Sequence, residues 1–180
     1  VTIIETYYIT KMYEKEQIFL DIFESHNDEV FRFVLFRVNN REVALDITQE
    51  SFTKFWEVLL QSKPIENGRA LIYHIARNKI IDHYRKRKDY SLDEMTESGF
   101  DAEAHKIDPE IIDDVKNLLK ETNELPDKYK EVLLLHIESG MDSKEIAKVL
   151  DISNNLASVR LHRAKEALKK NTKHVTNVTW

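Results

Sequence analysis

Seven basic side chains lie between Arg69 and Lys88, with Asp82 the lone acid among them. Placed on a helix, Arg77, Asn78, Asp82, Tyr84 and Arg85 fall on or near one side. Positive charge interleaved with amide and aromatic groups suits contact with phosphates and with bases. Taken alone, Arg85 to Lys88 reads as well as a solvated charge run. A second motif near the C-terminus tips the balance. There, Asp142 followed by Glu145 forms a capping box, Ser153 is placed to cap a further helix, and the short turn Asp151-Ile152-Ser153 separates the two. Two short helices joined in this way describe a helix-turn-helix. Ala147 is small where the helices must cross, and Ile146, Leu150, Ile152, Ala157 and Leu161 supply a little core. The second helix then presents Asn155, Ser158, Arg160, His162, Arg163 and Lys165. Arg pairs with guanine edges or phosphate and Asn with adenine, so this face suits the major groove. A packed helix pair with a basic surface is the bland alternative. The capped turn, the small residue and the basic face together make DNA binding the better reading.

A third pattern is acidic. Asp46, Gln49, Glu50, Thr53 and Glu57 follow helical spacing and make one polar stripe, while Phe52, Phe55, Trp56 and Leu59 follow it on another side. A stripe edged by Phe52 and Trp56 fits a protein-docking face, because aromatic anchors dominate interface energies. For an isolated helix, a solvated face beside a core face is the simpler account.

The elements that must position these residues are helical. Three Gly and three Pro in 180 residues leave little room for tight hairpins. Apolar periodicity predicts helices from Glu14 to about Glu24 (Ile18, Phe19, Ile22, Phe23), from about Asp28 to Val38, from Arg41 to about Leu60, and from about Gly68 to Lys88 (Leu71, Ile72, Ile75, Ile80, Tyr84). From Asp89 to Asp114 ten acids face a single base, Lys106, which reads as a solvated linker turning helical after Pro109. Pro126 suits the first turn of a helix carrying Val132, Leu133, Leu135 and Ile137, and Gly140 stops it. In the last helix Ala157, Leu161, Ala164 and Leu168 form the buried side, and past about Lys170 the tail is polar and expected to fray. The fold class is therefore all-α, with an N-terminal helical domain, an acidic linker and a C-terminal helix-turn-helix domain.

Composition bounds the chemistry. The absence of cysteine excludes disulfides, thiolate zinc sites and thiol catalysis. No stretch approaches a membrane span, and the opening Val1–Tyr8 lacks the basic and apolar regions of a secretory signal. Lys and Arg total 27 against 32 Asp and Glu, a net charge of −5 that argues against nucleic-acid binding until its distribution is considered. The acids concentrate in the stripe and the linker, and the bases in the two candidate DNA-contacting helices.

The order and spacing of Asp46–Trp56, Arg69–Arg87 and Leu125–Lys169 resemble a bacterial RNA polymerase sigma factor of the extracytoplasmic-function (ECF) group. The resemblance implies a promoter-melting domain over residues 14–88, a linker over 89–122, and a helix-turn-helix domain over 123–171. It implies that Asp46, Gln49, Glu50, Phe52 and Trp56 grip the clamp helices of the polymerase largest subunit. It assigns the loop from about Gln61 to Asn67 and the helix after it to the minus-ten element, with Arg77, Asn78, Lys79, Asp82, His83 and Arg85 as candidate contacts. Asn155, Leu156, Ser158, Arg160, His162 and Arg163 match the reader of the minus-thirty-five element. Where many family members have Gly-Thr-Val-Lys-Ser-Arg, this chain has Asn155-Leu156-Ala157-Ser158-Val159-Arg160, so a frequent basic contact is Ser158 here. Glycine, common in the turn of such motifs, is replaced in that region by Asp151.

Further implied partners are the flap of the second-largest subunit, promoter DNA and an anti-sigma factor. The resemblance implies a cytoplasmic protein without stable membrane insertion, cofactor, metal or catalytic residues of its own. The linker's acidity is expected to mimic nucleic acid along the RNA exit path. Two other classes compete. A helix-turn-helix regulator with an N-terminal sensing or dimerisation domain would not need Asp46, Gln49 and Glu50. A hydrolase or metal enzyme built on the seven His finds no HExxH or paired His-carboxylate spacing.

Overall fold

The computed structural model describes residues 3–61, 64–90 and 125–171, which contain six α-helices and no strand. They are α1 (Ile3–Val38), α2 (Arg41–Leu60), α3 (Gly68–Tyr90), α4 (Asp127–Ser139), α5 (Ser143–Leu150) and α6 (Asn154–Asn171). They fall into two compact units, α1–α3 and α4–α6. The acidic linker, its expected helical turn after Pro109 and the polar tail past Asn171 lie outside the described residues.

The first unit corrects one expectation. The two segments read as Glu14–Glu24 and Asp28–Val38 are one continuous helix that begins at Ile3. Ser25, His26, Asn27 and Asp28 looked like a break, but no Gly or Pro stands among them. Polar residues that suit caps also tolerate a helix interior when tertiary contacts hold it. His26 Nδ1 lies 3.2 Å from the Glu29 carboxylate one turn on. That carboxylate also receives Arg69 at 3.3 Å and the Tyr73 hydroxyl at 3.4 Å, so the supposed gap is where α3 is tied to α1. The real break comes at Asn39, in the left-handed region at φ 51°. Asn40 then caps α2 by accepting from the Val43 N–H at 3.0 Å.

The three helices enclose Val30, Phe33 and Val34 of α1, Ala44, Phe52 and Phe55 of α2, and Ile72, Tyr73, Ala76 and Ile80 of α3. In α3 Ile72, Ile75 and Ile80 of the expected apolar stripe are buried, but its two end members are not. Tyr73 is wholly buried against Phe33, with ring centroids 5.0 Å apart, whereas Leu71 is half-buried and Tyr84 exposed. Tyr84 instead donates its hydroxyl to the Arg37 carbonyl at the end of α1. Asn67 starts α3 by accepting from the Ala70 N–H at 2.8 Å.

In the second unit α4 begins one residue after Pro126, whose carbonyl accepts from Tyr129 and Lys130, so the proline is the cap rather than part of the first turn. Gly140 ends α4 at φ 61°, a conformation glycine adopts without a Cβ penalty. The capping box forms in full: Asp142 accepts from Lys144 and Glu145 at 2.8 Å each, and Glu145 returns to the Asp142 N–H. Asp142→Ala is expected to lower the unit's unfolding free energy by about 0.5–2 kcal/mol, read from urea midpoints at constant slope. Asp151 occupies the left-handed region at φ 53° after α5. It does there what glycine does in many such turns, because a short polar side chain tolerates that conformation. Ser153 caps α6 through the Leu156 N–H. Beneath the helix-turn-helix, Leu125 and Leu133 pack with Ala164 and Leu168, and Tyr129, Ile137 and Leu161 border them.

Candidate functional site

The acidic stripe and part of the basic helix face one another. Asp46, Gln49 and Glu50 of α2 and Asn78, Lys79 and Asp82 of α3 line one open groove of about 720 Å³, floored by Ile75 and extended by Thr53, Lys54 and Glu57. Sequence spacing placed these two sets on separate helices and did not show that they share a cleft. Asp46, Gln49 and Glu50 are exposed, as a docking face requires. Glu50 receives Lys79 Nζ at 2.6 Å. Lys54, 2.8 Å from Glu57, holds that carboxyl below the usual carboxylate range, with Lys79 adding a smaller pull.

Two of the expected docking residues stand apart. Phe52 is 3% exposed, with its ring 4.9 Å from that of Phe23 and 6.3 Å from that of Phe19, edge-on to both. It belongs to the core, which differs from its expected place as a surface anchor and leaves almost none of its ring for a partner to grip. Helical spacing alone could not decide this, because the apolar side of α2 is wide enough to serve either purpose. Trp56 is half-buried, edge-on to Phe19 at 5.5 Å, and keeps part of its ring on the surface.

Among the described side chains, several members of the basic stripe of α3 are engaged within the unit. Arg69 is engaged with Glu29 and Lys79 with Glu50. Arg77 is half-buried. Asn78 lies 3.0 Å from His74 Nε2, and His83 is edge-on to Tyr84. Arg85 is exposed beside Asp82 at 3.0 Å, and Lys86 is exposed next to it. Asn78, Asp82 and Arg85 therefore share a face, while Arg77 and Tyr84 turn away from it. Of the loop from Gln61 to Asn67, residues 62 and 63 lie outside the described residues.

On α6 the buried side is Ala157, Ala164 and Leu168, with Leu161 half-buried. Asn155, Leu156, Ser158, His162 and Arg163 are exposed and Arg160 is half-exposed. His162 lies 3.6 Å from Glu166. Arg163 donates to the Tyr129 hydroxyl at 3.4 Å, and this guanidinium holds the phenol below its ordinary pKa. Val159, also exposed on this face, was missed by the sequence reading, although it stands four residues after Asn155.

Taken together, a helical unit with a charged groove and a capped helix-turn-helix unit with an exposed basic face are the parts of a DNA-binding protein. The comparisons with known proteins specify it further. The Sigma-70 region 2 model matches residues 22–90, and the Sigma-70, region 4 model matches residues 116–168. The ECF RNA polymerase sigma factor SigM of Bacillus subtilis (strain 168) is 28% identical over 157 residues, covering 83% of this chain and 91% of that protein. SigW of the same organism is 29% identical over 167 residues, covering 84% and 87%. In fold, CnrH, solved in complex with the cytosolic domain of CnrY, superposes with a TM-score of 0.63 at 20% identity, covering 88% of this chain and 89% of that one. RpoE of Bartonella quintana, solved with the anti-sigma factor NepR, does so at 0.60 and 19%, covering 87% and 99%. The chain belongs to the sigma-70 family of RNA polymerase sigma factors, in its ECF group. It binds core RNA polymerase and directs promoter-specific initiation of transcription. No helix among the described residues is long and apolar enough to cross a membrane.

Proposed function

We propose that residues 14–88 dock the clamp helices of the polymerase largest subunit and capture the minus-ten element, and that residues 123–171 hold the minus-thirty-five duplex, joined by an acidic connection over 89–122. The observation that carries this division is the shared groove, with Asp46, Gln49 and Glu50 on one wall and Asn78, Lys79 and Asp82 on the other. A polymerase clamp seated on the acidic wall would bring single-stranded DNA past the opposite one. There Asn78 and Lys79, with Arg85 on the same face as Asn78, offer amide and cationic contacts to extruded bases and their phosphates. Capturing such bases offsets an unstacking cost of a few kcal/mol each. The exposed face of α6 supplies the duplex contacts, with the flap of the second-largest subunit as the surface that supports this unit.

The chain performs no reaction of its own in this scheme and acts in the cytoplasm, where the polymerase makes the RNA. An anti-sigma protein is the expected inhibitor, a reading supported by the complex of the structurally similar RpoE with NepR. Permanganate probing of promoter complexes separates the two domains' roles. Asn78→Ala with Arg85→Ala is expected to reduce thymine reactivity in the minus-ten bubble at least about tenfold while the holoenzyme still assembles. Arg163→Ala is expected to weaken promoter binding and leave the bubble intact once bound. Equal loss of bubble and of duplex binding from both variants would overturn the division.

A further inference from the structure

The N-terminal half of α6 is unusual for a surface meant to meet a polyanion. Leu156 is 39% exposed and Val159 38%, on the side turned away from Ala157, Ala164 and Leu168. By helical geometry Val159 stands near the middle of that face, between Asn155 and Arg163, and Leu156 flanks it toward Arg160. Ser158, short and polar, stands between them in sequence and is exposed as well.

The N-terminal residues of a recognition helix are the ones that reach base edges. The apolar group that base edges present in the major groove is the thymine 5-methyl, since the other bases show hydrogen-bonding groups there. Side chains three residues apart on a helix are about 5–6 Å from one another, a span of one to two base-pair steps at about 3.4 Å each. Ser158, being short, lets the helix approach closely enough for van der Waals contact. Asn155 beside them can pair with the adenine of a neighbouring A·T pair.

We propose that Leu156 and Val159 are specificity determinants that seat against thymine 5-methyl groups on adjacent or next-but-one base pairs of the minus-thirty-five element. This rests on the reading of α6 as the helix that enters that duplex.

The test uses the full chain assembled with core polymerase. Holoenzyme selects from duplexes randomised across the minus-thirty-five element. The selected duplex is then remade with deoxyuridine in place of each thymine, on either strand in turn. Burying one methyl-sized group corresponds to about a fourfold change in affinity. One or two positions are therefore expected to lose about fourfold when the methyl is removed, and Leu156→Ala or Val159→Ala to bind the thymine and deoxyuridine duplexes alike. Both residues are exposed, so the variants should keep the wild-type unfolding midpoint. Unchanged affinity after every deoxyuridine replacement, or a selected element without A·T pairs, would overturn the proposal while leaving α6 as the reader. Selection of no sequence at all at that element would instead overturn the reading of α6 and the proposal with it.

Discussion

Replacing Asp46 and Glu50 together by arginine is expected to abolish retention of core RNA polymerase at concentrations where the wild-type chain is fully bound. Charges at a protein interface that lose or invert their partner cost roughly 2–5 kcal/mol, which is roughly thirtyfold to several thousandfold in affinity. Both side chains are exposed on α2, on the wall of the groove. Glu50 meets Lys79 within the chain, but an exposed ion pair of that kind is worth at most about 1 kcal/mol, so the helical unit should unfold within a few degrees of its wild-type midpoint. Competition binding against labelled wild-type chain reads the affinity, and circular dichroism reads the fold. Undiminished polymerase binding by a folded double variant would remove the acidic stripe from the docking surface.

The second large effect concerns stability. Phe52→Ala deletes a ring packed against Phe19 and Phe23 in the core of the first unit. Loss of a buried phenylalanine costs about 3–5 kcal/mol, because the cavity relaxes only in part. That is a large share of the 5–15 kcal/mol available to a whole domain. The α1–α3 unit is therefore expected to unfold at a much lower urea midpoint, while the helix-turn-helix unit keeps its own transition. Polymerase binding would fall with it, as a consequence of unfolding. Phe52→Leu separates the two causes, because it keeps most of the volume, costs less, and should restore binding. A Phe52→Ala chain as stable as the wild type but blind to polymerase would show instead that the ring meets the partner.

The two variants contrast the parts of α2 that were legible and illegible in its sequence. Asp46, Gln49 and Glu50 fall on one face at helical spacing, and in the structure they are exposed on one face. Phe52 fell at the edge of that face, and an aromatic side chain at an edge reads as an anchor or as core with equal ease. Only the arrival of Phe19 and Phe23 from α1 buries it. The same long-range packing moved the buried aromatic of α3 to Tyr73, whose hydroxyl meets Glu29 of α1. It also carried α1 unbroken through Ser25–Asp28, where the local residues resembled an end and a new beginning.

The net charge of −5 shows the same division. Its distribution along the chain was readable from the residues and separated acidic from basic stretches. Which of the basic groups are already engaged was not. Arg69 and Lys79 find Glu29 and Glu50 on other helices, and Arg85 pairs with Asp82 a turn away, so among the described side chains of α3 the exposed cations are Arg85 and Lys86.

By itself, the sequence determined what depends on neighbours within a turn or two: the bounds of α2, the start of α3, the stop at Gly140, the box at Asp142 and Glu145, the cap at Ser153, and the two-unit helical order. Caps and apolar periodicity act through hydrogen bonds and side-chain spacing that span at most a few residues, so they can be read without knowing the fold. The tertiary structure alone decided that α2 and α3 enclose one groove, that Phe52 is buried against α1, and that Leu156 and Val159 stand outward on α6. Each of these depends on which face of a helix finds another helix to bury it. That choice is made by packing between residues far apart in the chain.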